Sequence, residues 1–129
     1  MQRRSLIVRS LWAACLLIGG ANHLRILIQH GLFWDYGGAA WPSAVYWTSL
    51  TLIDPLVAAA LFVRPRAGIV ATVALIATNV AHNVGLTAYH APDGEFLQRA
   101  ANPFLLAQMG FLLFVLATAR IAWRGSGRP

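Results

Sequence analysis

Four long stretches of this chain are almost free of charge, and that spacing limits the fold more than any other feature. They run from Leu6 to Ile28, Ala44 to Val63, Ala67 to Tyr89 and Pro103 to Ala119. A bilayer's hydrocarbon core of about 30 Å needs roughly 20 helical residues, and each stretch fits. Backbone groups in lipid must be satisfied within their own element, so helices are expected. Barrel strands would show strict alternation over shorter runs, and none is present. The chain is 58% hydrophobic and 11% charged, against about 25% charged for an ordinary soluble domain. Its 129 residues suffice for one domain, here an all-α, integral membrane four-helix bundle.

The net charge of +6 does not point to nucleic acid. All ten basic residues are arginines, and eight fall in three clusters between the apolar runs: Arg3, Arg4 and Arg9, then Arg64 and Arg66, then Arg120, Arg124 and Arg128. Clusters so placed act as topology signals. With the N-terminus inside, the outer side holds only Arg25 and Arg99, with Asp35, Asp93 and Glu95. The expected arrangement is up-down in the bacterial inner membrane with both termini cytoplasmic. Arg3, Arg4 and Arg9 read as a cytoplasmic anchor rather than part of a cleaved signal, because three more apolar spans follow. Cys15 is the only cysteine, which excludes an internal disulfide and the dithiol chemistry of quinone-linked thiol oxidases.

Boundary signals agree with four helices. Asn102-Pro103 reads as an N-cap followed by proline at the first helical position, and Pro42-Ser43 as a similar start. Arg64-Pro65-Arg66 is so short a link that the second and third helices should form a hairpin, and Pro55 should kink the second. Gly19-Gly20, Ala58 to Ala60, and the stripe Ala77, Ala81 and Gly85 are expected to let helices approach closely. The connection after the first helix carries Phe33, Trp34, Tyr36, Trp41, Tyr46 and Trp47. An interfacial aromatic belt is the ordinary explanation, and a lid over a cavity is the sharper one.

Polar residues interrupt the apolar spans at similar depth. Asn79, His82 and Asn83 share one helix face, which His90 extends. Asn22, His23 and Arg25 lie on the first helix, Thr48, Thr51 and Asp54 on the second, and Gln108 on the last. By helical rise, Asn22, His82 and Gln108 lie roughly 7–10 Å below the outer boundary, and Asp54 roughly 12–15 Å. An acid at that depth should face the interior and have a partner, with Arg25 or His82 the candidates. Gln108 and Thr48 also suit a simpler role as interhelical glue. His23 and His82 have the chemistry of axial haem ligands. Four short helices leave little room for a macrocycle, however, and no second acid completes a metal set, so neither haem nor metal is expected.

The layout resembles the DoxX-like group of small bacterial four-helix membrane proteins over nearly the whole chain. Arg9 opens the first span, and Gly20-Ala21-Asn22-His23-Leu24 stands where the group often has glycine followed by Lys-Leu. Asp54 stands at the second helix's acid, Arg64-Pro65-Arg66 at a short basic turn, and His82 at a histidine late in the third helix. His23 replaces the group's lysine and Asp54 its glutamate. A fainter likeness is to the EXPERA group, which places acids and aromatics around an intramembrane cavity. The DoxX resemblance implies that a quinone, or a partner membrane or periplasmic protein, is what the chain handles.

The resulting expectation is an outward-facing pocket for a small quinone-like lipophile. Asp54 and His82 would engage its polar head, and Asn79, Asn83 and Asn22 would orient it. His23, Arg25 and Gln108 would lie at the same level, and the loop from Trp34 to Trp47 would cover it. The alternatives are a non-enzymatic scaffold subunit and a proton-coupled exporter working as a homo-oligomer.

Overall fold

The computed structural model describes residues 1–127; Arg128, counted above in the third arginine cluster, lies outside the described residues. All regular structure among the described residues is helical: α1 (Gln2–His30), α2 (Trp41–Val63), α3 (Pro65–His90), the short α4 (Phe96–Ala100) and α5 (Pro103–Arg124). Four of these helices are long and apolar enough to cross a membrane. Each overshoots its expected span because apolarity marks only the part suited to hydrocarbon. A helix continues into polar surroundings until a cap or proline stops it. α4 was not anticipated; its five residues are too few to show a period.

The long helices form a ring in which α1 and α3 each pack against both α2 and α5. The interior holds Trp12, Leu16, Leu61, Ile69, Ile76 and Val115. The outside is apolar as well, with Ile18, Ile28, Leu52, Leu56 and Leu113 each more than two-thirds exposed. Such a surface suits lipid rather than water.

One end of the ring gathers the start of α1, the end of α2, the start of α3 and the end of α5. A single residue, Arg64, separates α2 from α3. Pro65 has no N–H to give Leu61, whose carbonyl is left open. The Arg9 guanidinium fills that position through Nη1. In the same way Ser5 Oγ donates to the Ala122 carbonyl in the last turn of α5, at 2.7 Å. Trp12 Nε1, one turn further along α1, donates to Thr118 Oγ1 at 3.1 Å. Arg9 is therefore 8% exposed and built into the bundle, whereas Arg3 and Arg4 beside it in the sequence are exposed.

Two helix-level expectations are also revised. The stripe of Ala77, Ala81 and Gly85 faces outward, and a side chain at Gly85 would meet nothing within 4 Å. The close approach of α2 and α3 is made instead by Gly68, whose Cβ would fall 2.6 Å from the Leu61 Cα. Ser43 is not a cap: α2 starts at Trp41, and Ser43 lies buried inside it. α2 continues through Pro55, which lies inside the helix. Asn102 does cap α5, its Oδ1 accepting from the Leu105 N–H at 2.9 Å. Gly19 and Gly20 do let α1 close on α2, against Asp54 and Pro55.

Candidate functional site

The opposite end of the ring carries the polar cluster. Two triads with the same spacing face each other there. Asn79, His82 and Asn83 come from α3, and Ser43, Tyr46 and Trp47 from α2; the i, i+3, i+4 pattern puts each set on one face. Trp47 Nε1 donates to Asn83 Oδ1 at 3.0 Å, and Tyr46 Oη donates to Asn79 Oδ1 at 3.4 Å. His82 Nδ1 lies 3.3 Å from the same Asn83 oxygen, and His82 Nε2 3.1 Å from Ser43 Oγ. An amide oxygen only accepts, so Nδ1 carries a proton; in the neutral ring Nε2 then accepts from the serine. α5 joins through Gln108, whose Oε1 accepts from Asn83 Nδ2 at 2.8 Å.

Asn83 is thus almost fully committed: its oxygen takes two hydrogen bonds, and its nitrogen gives one to Gln108 and a longer one to Asn79. The Gln108 amide nitrogen, by contrast, has no partner among the described residues. A cleft of about 790 Å³ opens beside it, with Ser43, Trp47, Asn83 and Gln108 among its walls. His90 lies at its edge, and no Asp, Glu, Lys or Arg lines it.

The loop after α1 forms the cleft's cover. Asp35 Oδ1 accepts from the Gly37 N–H at 3.0 Å, and the Asp35 carbonyl accepts from the Ala39 N–H at 2.8 Å. Tyr36, Gly37 and Gly38 all have positive φ, 56°, 81° and 98°, which turns the chain back over the bundle. Glycine takes that region freely, whereas for tyrosine it costs about 1–3 kcal/mol. The ring of Tyr36 offsets the cost, stacking on Trp34 at 4.7 Å and meeting Trp47 at 5.0 Å, while its Oη lies 3.3 Å from Thr48 Oγ1. Trp34 rests in turn on His30 at 3.9 Å. Tyr36 therefore lines the cleft, and Trp34 stacks on it. Phe33 and Trp41 are exposed like a belt.

The structure divides the residues that the sequence had grouped. Asn79, His82, Asn83, Gln108 and Trp47 meet, and Trp34 props the cover. Asp54 does not join them. It lies 11 residues beyond Ser43 on α2, about 16 Å of helical rise, and faces α1, where a Gly19 Cβ would sit 3.0 Å from its Oδ2. Neither Arg25 nor His82 pairs with it: Arg25 reaches Asn22 Oδ1 at 3.2 Å on the exposed side of α1, and His82 is held by Ser43 and Asn83. The buried Nδ1 of His23 and the buried Oγ1 of Thr51 have no partner among the described residues. Asn22, His23, Arg25 and Asp54 thus lie outside the cluster and do not line the cleft. Ser43 was missed as a site residue. The signal that would have found it is its triad spacing with Tyr46 and Trp47, which matches the triad on α3.

The fold and the cleft define a chain of four potential membrane spans with an uncharged polar recess at one end. Comparison of the sequence and structure with protein-family models, curated proteins and solved structures found no match.

Proposed function

We propose that this is a multi-pass inner-membrane protein, up-down in topology with both termini cytoplasmic, that binds a small uncharged lipophile in the cleft under the 31–40 loop. The carrying observation is the unspent Gln108 amide N–H₂ at the wall of a charge-free cleft that Trp47 also lines. Two free donors beside an aromatic face suit a head group with a carbonyl acceptor, and a quinone is the simplest member of that class. Ser43 holds His82, whose Nδ1–H holds Asn83, and Asn83 in turn fixes Gln108. Asp54 is not needed for this reading. The layout resemblance to DoxX-like proteins supports it, since some members of that group resemble subunits of quinone-linked systems.

The test is titration of the detergent-purified chain with a short-tailed benzoquinone, read by quenching of tryptophan fluorescence. Gln108→Met keeps the volume and removes the donors. We expect about five- to tenfold weaker binding, the worth of one such hydrogen bond. Equal binding by both forms, or none by the parent, would overturn the proposal.

A second reading is an accessory subunit that docks another membrane helix. The outward-facing Ala77, Ala81 and Gly85 favour it, because small residues let helix backbones meet in lipid. Crosslinking through Ala81→Cys in native membranes would trap the neighbour, and an absence of crosslinks would dismiss this reading.

A further inference from the structure

The other end of the bundle holds a second recess, of about 1120 Å³, between the start of α1, the α2–α3 link and the end of α5. Arg3, Arg9, Arg64 and Arg66 line it. No acidic side chain among the described residues offsets them: Asp35, Asp93 and Glu95 belong to the loops of the opposite end, and Asp54 lies far down α2. No hydrogen bond or ion pair among the described residues engages the guanidinium groups of Arg3 or Arg64. Arg66 is steadied only by the ring of Trp123, 5.6 Å away.

Arg9 distinguishes this recess from an ordinary basic fringe. Its side chain is more than nine-tenths buried, Nη1 is committed to the Leu61 carbonyl, and Nε is buried without a partner among the described residues. A buried guanidinium N–H left open is costly unless an anion meets it. The first turns of α1 and α3 also open here, with N–H groups that favour negative charge. Beside the arginines the lining is apolar and exposed, at Leu6, Phe62 and Val63.

We propose that this recess binds the phosphate of an anionic phospholipid headgroup. The arginines and helix starts hold the phosphate, and an acyl chain runs down the Leu6, Phe62 and Val63 side. The apolar lining favours a lipid over a free phosphate ion. The proposal rests on the membrane-spanning reading but not on the quinone cleft.

The test uses the full chain in detergent and follows its melting midpoint and its bound lipid by native mass spectrometry. Phosphatidylglycerol, phosphatidylcholine and sodium phosphate are the three additives. Phosphatidylglycerol should bind and raise the midpoint, and the other two should not. Arg3→Gln with Arg64→Gln removes two partnerless guanidinium groups, and Arg9 stays in place to preserve the fold. The pair should weaken phosphatidylglycerol binding about 25-fold, at about fivefold per arginine. Equal responses to the two lipids, or an unchanged response in the double variant, would overturn the proposal. A response to sodium phosphate equal to that of phosphatidylglycerol would reassign the recess to a free anion and overturn the lipid reading. A chain that stays soluble without detergent would instead refute the membrane reading itself.

Discussion

Arg9 and Asp54 show how much a single charged residue's meaning depends on its neighbours. Arg9 satisfies a carbonyl that Pro65 leaves open. Arg9→Met should therefore destabilise the bundle by about 2 kcal/mol, the cost of an unmet buried carbonyl, in unfolding titrations of the detergent-purified protein. No hydrogen bond or ion pair engages the Asp54 carboxylate among the described residues, and Gly19 and Gly20 give it room. Asp54→Asn should leave the melting midpoint unchanged or raise it, because no ion pair is lost. A large fall would reveal a partner for the carboxylate. Both residues were conspicuous in the sequence, but their roles were not. Arginines near a membrane end usually mark topology, and nothing local shows that Ser5, Arg9 and Trp12 share the inward face of α1. The α3 triad was legible because its three polar residues repeat at helical spacing. Its α2 counterpart hid among aromatics that resemble a belt.

At the level of helices, the apolar stretches located all four long elements and the α2–α3 link. They did not locate the faces. The spans are apolar on both the core side and the outer side, so no polar stripe marks an outside. Ala77, Ala81 and Gly85 looked like a packing seam for this reason, whereas the true seam is at Gly68. Two substitutions separate these assignments. Gly68→Ala drives a methyl group into the backbone of Leu61 and should cost about 3 kcal/mol. Gly85→Ala meets nothing and should be neutral or stabilising by up to about 1 kcal/mol. Melting curves of the two variants in the same detergent provide the check.

For the whole molecule, the two ends of the ring differ in chemistry. One gathers arginines around buried Arg9. The other gathers neutral amides, an imidazole and stacked rings, with acids in its loops. That polarity gives a topology prediction. With Cys15→Ser as background, Asp93→Cys in intact cells should react with a membrane-impermeant thiol reagent, and Ser126→Cys only after the cells are opened. The reverse pattern would invert the orientation.

Two opposed contributions meet at the loop over the uncharged end. Ring contacts of about 0.5–1.5 kcal/mol each hold Tyr36 in place, while its backbone, at φ 56°, costs about 1–3 kcal/mol. The two are of similar size, so the loop gains little net stability from seating that ring. A flat molecule that stacked between Tyr36 and Trp47 would exchange one ring contact for another at little cost.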